Sequence, residues 1–259
     1  MIICLGLAVA GPAAAADIPR PILTKAEPQL TSTPTWAGLY FGGNVGYGWN
    51  HAVVADTFSV PGFGTLGPTS FLTDNLNGGV WGGQIGYNWQ FGNVVLGLEA
   101  DFNGTRQKFD QPYPCDVGGA VVPGCTVFPK DRIAWFSTAR SRIGYAMDRW
   151  LVYVTGGAAW QNLRSDGRAT IAGVGSWDVF STSTTRVGYS IGAGAEAALS
   201  SKWSLGLEYL YMNTGTKLTA NTTLPVGLSG ALGAPPTTMV YETHHLTDQV
   251  VRVRLNFRP

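Results

Sequence analysis

The chain has 259 residues, 17 basic against 16 acidic, with 35 glycines and 12% aromatics. A charged fraction of 13% is about half that of an ordinary soluble domain, and so many aromatics exclude intrinsic disorder. A net charge of +1 excludes a strongly basic nucleic-acid binder, and scattered glycines, each costing about 1 kcal/mol in a helix interior, argue against a helical protein.

Met1 to Ala16, MIICLGLAVAGPAAAA, is an apolar run ending in small residues before Asp17. It reads as the core and cleavage site of a secretory signal peptide, expected over 1–16. The charged segment that opens such peptides is missing, so the true start is expected upstream. Past it, no run reaches the roughly 18 apolar residues that a membrane helix requires. Residues 17–35 are punctuated by Pro19, Pro21, Pro28 and Pro34 and are expected to form a periplasmic lead-in.

From there on the pattern has period two. The first strand, predicted over Leu39–Trp49, turns Leu39, Phe41, Val45, Tyr47 and Trp49 one way and Asn44 with four other small or polar-tipped residues the other. The second, Gly79–Trp89, sets Trp81, Ile85, Tyr87 and Trp89 against Val80, Gln84 and Asn88. In the third, Val94–Asn103, Leu96, Leu98, Ala100 and Phe102 oppose Glu99, Asp101 and Asn103. Cys115 and Cys125 follow in YPCDVGGAVVPGC. Two cysteines closing a short segment in an exported chain point to a disulfide, and no His lies within it to complete a metal site.

The fourth strand, Ile133–Tyr145, sets Ile133, Trp135, Ile143 and Tyr145 against Arg132, Thr138, Arg140 and Arg142. The fifth, Trp150–Gln161, has Trp150, Val152, Val154, Ala158 and Trp160 opposite Tyr153, Thr155 and Gln161. The sixth, Thr185–Leu199, opposes Val187, Tyr189, Ile191 and Leu199 to Arg186, Ser190 and Glu196. The seventh, Trp203–Tyr211, opposes Trp203, Leu205, Leu207, Tyr209 and Tyr211 to Ser204, Glu208 and Met212. The eighth, Gln249–Phe257, opposes Val251, Val253, Leu255 and Phe257 to Arg252, Arg254 and Asn256.

Long connections alternate with tight ones at Phe91-Gly92-Asn93, Met147-Asp148-Arg149 and Ser200-Ser201-Lys202. An even strand count with short turns on one side and long loops on the other is the layout of an outer-membrane barrel. A soluble ligand barrel would put its apolar residues inside, and would not sort its loops by length. Trp36, Trp49, Trp89, Trp135, Trp150, Trp160 and Trp203 fall at strand ends, where aromatic girdles sit. The inward face carries Glu99, Asp101, Glu196 and Glu208 with Arg140, Arg142, Arg186, Arg252 and Arg254. Eight strands leave room for little more than side chains, so these charges are expected to pair and fill the lumen.

Other motifs dissolve in this pattern. Gly188 to Gly192 matches G-x-S-x-G around Ser190, but the alternation continues straight through it, whereas a nucleophile elbow needs a strand-to-helix turn. Gly62 to Gly67 matches a dinucleotide fingerprint without the preceding strand and following helix. His51, His244 and His245 fall in or beside long loops, where solvated surface histidines are the ordinary outcome and a metal or haem site at His244-His245 the alternative.

The segment WAGLYFGGNVGYGWN, Trp36 to Asn50, resembles the first strand of the small alphaproteobacterial outer-membrane β-barrel proteins, the porin-family, OmpA-like class. GGVWGGQIGYNWQ, ARSRIGYAMDRWLVYVTGGAAW and WSLGLEYLYMN are similar to its later strands, so the resemblance spans about 36–257. It implies an abundant Gram-negative envelope component that supports outer-membrane integrity and host-facing surface properties. Members end in an aromatic read by the barrel-insertion machinery, whereas this chain ends Asn256-Phe257-Arg258-Pro259.

The expectation is an all-β fold: one eight-stranded antiparallel up-and-down transmembrane β-barrel over 36–259, with short periplasmic turns and long extracellular loops. Its function is expected to be structural, not enzymatic, without a cofactor. A small-solute porin is the first alternative and a lipid-modifying barrel enzyme the second. Expected partners are outer-membrane lipids and lipopolysaccharide, the insertion machinery, and a host or envelope surface partner that no loop motif names.

Overall fold

Alternation is what makes these segments strands. Aromatic and β-branched residues on every second position suit a pleated surface, and the small residues between them let neighbouring backbones approach. In the computed structural model, residues 35–60, 64–66, 71–74, 76–117, 120–215, 218–223, 225–231 and 238–259 are described. Side chains at 51–60, 64–66, 71–74, 115–117, 120, 122, 218–222, 228–229, 231 and 238–246 are not. The expected signal peptide and all of the proline-punctuated segment but Thr35 lie outside the described residues.

Eight long strands form the wall: β1 Gly38–Val60, β2 Asn77–Phe91, β3 Val94–Thr105, β4 Ala120–Met147, β5 Trp150–Ile171, β6 Gly175–Ala198, β7 Trp203–Asn213 and β8 Thr238–Phe257. Each pairs antiparallel with the next, and β8 returns to β1 with Phe41 opposite Phe257 and Trp49 opposite Gln249. Closure removes the free edges that an open sheet would present to lipid.

The wall is inverted relative to a soluble protein. Leu39, Phe41, Ile85, Leu98, Ile143, Val154, Ile191, Leu207 and Val253 are all exposed, while the side chains between them turn inward. That polarity needs an apolar solvent outside.

At one end the connections are tight. Gly92 takes φ +60 in the β2–β3 turn and Asp148 takes φ +49 in the β4–β5 turn, a conformation that Gly adopts freely and Asp tolerates. In the β6–β7 turn the Ser200 hydroxyl accepts from the backbone N–H groups of Lys202 and Trp203, at 3.3 and 3.1 Å. Two-residue and capped turns of this kind mark the periplasmic side.

Two expectations are corrected. The long connection between the fifth and sixth strands is no loop, because the β5–β6 ladder continues to Ile171 opposite Gly175. Gly173, with φ +77, closes the hairpin tightly. Both faces of this extension stand above the membrane, so it lost the apolar alternation that sequence reading follows. Short strands at Gly64–Leu66, Phe71–Asp74, Lys108–Phe109, Tyr113–Val117 and Leu218–Thr223 also extend the wall on this side, with a single helical turn at Val226–Ala231. Secondly, Ile133 faces inward and Arg132 outward, the reverse of their predicted faces. The ladder runs Ile133 to Leu163 and then Trp135 to Asn162, so Ala134 is an extra residue in a bulge that flips the parity above it.

Leu207 and Val253 face each other across β7 and β8 at mid-wall. Replacing either with Arg is expected to cost roughly 2–4 kcal/mol in urea unfolding from liposomes, whereas Ser190→Ala on the inner face is expected to be nearly neutral.

Candidate functional site

The inner face is the site. Glu99 and Asp101 come from β3, Arg140 and Arg142 from β4, Glu196 from β6, Glu208 from β7, and Arg252 and Arg254 from β8. Period two points every one of them inward, and neighbouring strands bring them to one level.

Glu208 gathers three guanidinium groups: Arg252 at 2.6 Å, Arg254 at 2.7 Å and Arg140 at 3.2 Å. Arg140 also donates to Glu99 at 2.6 Å and Asp101 at 2.9 Å, and Arg252 reaches Asp101 at 2.9 Å. Arg254 closes the ring on Glu99, and Arg142 pairs with Glu196 at 3.0 Å. Tyr40 donates to Glu99 at 2.5 Å and Tyr153 to Glu208 at 3.0 Å. The guanidinium of Arg142 lies over both phenol rings, at 4.6 and 5.1 Å. None of these eight charged side chains is more than 2% exposed.

Space for four arginines in so narrow a lumen comes from glycine. Arg140 stands across the ladder from Gly157, Arg142 from Gly97, Arg252 from Gly46 and Arg254 from Gly206. A Cβ at Gly46 would lie 2.7 Å from that of Arg252, and one at Gly157 would lie 2.7 Å from the Arg140 Cα.

The lumen is layered around this cluster. Below it, Trp36, Val95, Ala146, Leu151, Tyr153 and Ala198 close an apolar layer at the turn end. Above it lies a second apolar layer of Val80, Phe136, Ala159, Leu210, Met212 and Val250. Next come Gln107 and Gln161, which donate to the buried Asp248 carboxylate at 2.7 and 2.9 Å. Leu76, Ile133 and Leu163 form the last layer.

Two sequence assignments change here. Arg186 is buried, but it stands opposite Gln161, ten residues up β6 from Glu196, and so does not join the eight-residue cluster. At ~3.3 Å per residue and a tilt near 40°, that separation is about 25 Å along the axis. Trp36 is not in the girdle. It shares inward parity with Tyr40 and Asn44, is fully buried, and is covered by the Arg258 guanidinium 4.3 Å from its ring. Its backbone N–H donates to the Gln90 side-chain oxygen at 2.7 Å, and its backbone carbonyl accepts from the Asn88 side chain at 2.9 Å.

Trp89, Trp150 and Trp203 stand outward at the turn end, where Trp203 meets Phe257 at 4.9 Å. Trp49, Trp135 and Trp160 stand toward the other end, with Trp81, which the sequence reading left out of the girdle. Trp135 stacks on Phe102 at 5.5 Å. Cys125 is disulfide-bonded, and the Cys115 side chain lies outside the described residues. So do the side chains of His51, His244 and His245. Ser190 is buried within β6, away from any strand-to-helix turn. Among the described residues no cluster of His, Cys, Asp and Glu could hold a metal.

Sequence reading put Tyr153 on the inward face without joining it to the charged residues, and it missed Asp248, which lies one residue before the predicted eighth strand and inside the observed one.

A closed ring of antiparallel strands, apolar outside, charged within and tightly turned at one end, is an outer-membrane β-barrel. The family model described as outer membrane protein beta-barrel domain matches residues 2–230. The chain is 34% identical over 193 residues to the 31 kDa outer-membrane immunogenic protein of Brucella melitensis biotype 1, covering 71% of this chain and 74% of that one. It is 29% identical over 193 residues to the 22 kDa outer membrane protein of Rhizobium leguminosarum bv. viciae, covering 74% and 70%. Among solved structures, the outer membrane protein OprG from Pseudomonas aeruginosa aligns with a TM-score of 0.41 at 11% identity, over 86% of this chain and 97% of that one. The chain belongs to the outer-membrane β-barrel family and resides in the outer membrane.

Removing one carboxylate leaves buried guanidinium groups uncompensated. Glu208→Ala is therefore expected to cost about 3–5 kcal/mol in equilibrium unfolding followed by tryptophan fluorescence. Glu208→Gln is expected to fall between it and the wild type.

Proposed function

We propose that this barrel is a non-enzymatic structural component of the outer membrane, with a lumen closed to solutes and extracellular hairpins that present a surface. The observation that carries the reading is the cluster around Glu208 and Glu99, in which Arg140 on β4 reaches across the lumen to Glu208 on β7, and Arg252 and Arg254 on β8 reach across to Asp101 and Glu99 on β3. Apolar layers on both sides of it keep water from solvating the ions. The Brucella relatives are named outer-membrane immunogenic proteins, which agrees with surface display rather than catalysis.

Its partners in this reading are outer-membrane lipids and lipopolysaccharide around the wall, the insertion machinery during assembly, and a surface partner at the hairpins. Phe257 on β8 packs between Phe41 and Trp203. Cys115 is the proposed partner of Cys125. Pro114 sits opposite Thr126 in the short ladder, which brings the two cysteine positions side by side.

Purified protein in a planar bilayer is expected to give no steady porin-scale steps. Stable, large unitary currents from the wild type would overturn the closed lumen and establish the porin alternative. Titration of the denatured, unreduced protein is expected to find no free thiol at Cys115 or Cys125. Cys125→Ser is expected to leave the barrel folded, because so short a closed segment contributes at most about 3 kcal/mol.

A further inference from the structure

The outer wall carries an unbalanced row of cations just above the upper aromatics. Lys108 pairs across the ladder with Arg132, and Arg132 with Arg164. All three are exposed and share the outward face. Like charges directly opposite one another destabilise a strand pair. Asp110 meets Lys108 at 2.7 Å, but neither Arg132 nor Arg164 has a carboxylate within ion-pair distance among the described residues. Arg106 adds a further guanidinium, 5.5 Å over the Trp81 ring, and Lys130 stands one rung higher.

The nearby acids offset only the neighbouring cations: Asp166 stands across the ladder from Lys130 and accepts from the Ser181 hydroxyl at 2.7 Å, and Asp178 pairs with Arg168 at 2.8 Å, which leaves Arg106, Arg132 and Arg164 unbalanced. The row therefore keeps a surplus of positive charge with donors unspent.

Height decides what can neutralise it. From Trp160 to Arg164 the wall climbs about 10 Å at ~3.3 Å per residue and a tilt near 40°. A headgroup layer is roughly 5–8 Å thick beyond the hydrocarbon. Long basic side chains at its outer edge reach back into it. Phosphate suits them, since a guanidinium fork matches its oxygens in two parallel hydrogen bonds.

Lower on the wall, seven residues down β4 from Arg132, the apolar surface of β2 to β5 has a shallow furrow, with Ala100, Ala139, Ser141 and Gly156 on its floor and Ile85 and Leu98 at its sides. A furrow of small residues under a row of cations has the shape of an acyl chain below a phosphate.

We propose that Lys108, Arg132 and Arg164, with Arg106, dock the phosphorylated headgroup of a multiply acylated outer-leaflet glycolipid, one acyl chain lying in the Ala139 furrow. The site narrows the lipid partner named above to one face of the barrel, and it stands or falls independently of the closed lumen.

The test is lipid retention by the full-length protein in detergent, read by native mass spectrometry. The probes are bisphosphorylated lipid A, the same lipid with both phosphates removed, and inorganic pyrophosphate. Wild type is expected to hold the bisphosphorylated lipid about tenfold more tightly than the dephosphorylated one, a ratio that two lost bidentate contacts readily supply. The Lys108→Ala/Arg132→Ala/Arg164→Ala variant is expected to lose that preference, and Ala139→Phe to weaken retention with the row intact. An Arg149→Ala/Lys202→Ala control at the turn end is expected to match wild type. Folding of each variant is checked by tryptophan fluorescence, and Arg132→Gln alone replaces the triple variant if that one does not fold. Equal retention of the two lipids by wild type, or an undiminished preference in the row variants, overturns the site. Displacement of the lipid by equimolar pyrophosphate overturns the lipid in favour of a soluble phosphate anion.

Discussion

Charge inside an apolar cylinder is the constraint on which this architecture turns. Lipid outside requires apolar residues on the outer face, so a strand of period two has only the lumen left for its polar positions. A lone guanidinium there would carry a large desolvation cost, and it is tolerable only with a carboxylate within hydrogen-bond reach. Glu208 and Glu99 meet that requirement by each serving several arginines. Since those arginines come from β4 and β8, the cluster also ties opposite walls of the barrel together.

The remainder of the lumen is arranged to protect that cluster. Apolar layers at Trp36 and Phe136 separate it from water at one end and from the Asp248 layer at the other. Glycines at 46, 97, 157 and 206 set the distance between strands and arginines, so the wall and its contents are fitted to each other. A side chain at Gly46 or Gly157 would meet the very arginine whose place it makes.

Beyond the upper aromatics the rules relax, because the outer face of the hairpins no longer meets lipid, while Leu163, Ser165 and Ala169 stay buried within. There β5 and β6 run on as a ladder without apolar alternation, and the surplus charge at Arg132 and Arg164 faces outward instead of inward. A single extra residue, Ala134, makes that change of face on β4. The same bulge that turns Ile133 into the lumen turns Arg132 outward.

The sequence by itself determined the strand number, their order, the turn end and the outward face, because lipid imposes period two on every spanning segment. Inward parity likewise marked Glu99, Asp101, Arg140, Arg142, Glu196, Glu208, Arg252 and Arg254 as lumen residues. It could not pair them, since pairing depends on the stagger of eight strands around a closed ring. Tertiary structure alone decided that Arg186 stands about 25 Å along the axis from Glu196, a distance set by rise and tilt. It alone placed Trp36 under Arg258 rather than in the girdle, because a strand-end tryptophan reads the same in sequence whether it points to lipid or to the lumen. It also decided the faces of Ile133 and Arg132, because a bulge leaves no mark in composition and appears only where two strands fall out of step.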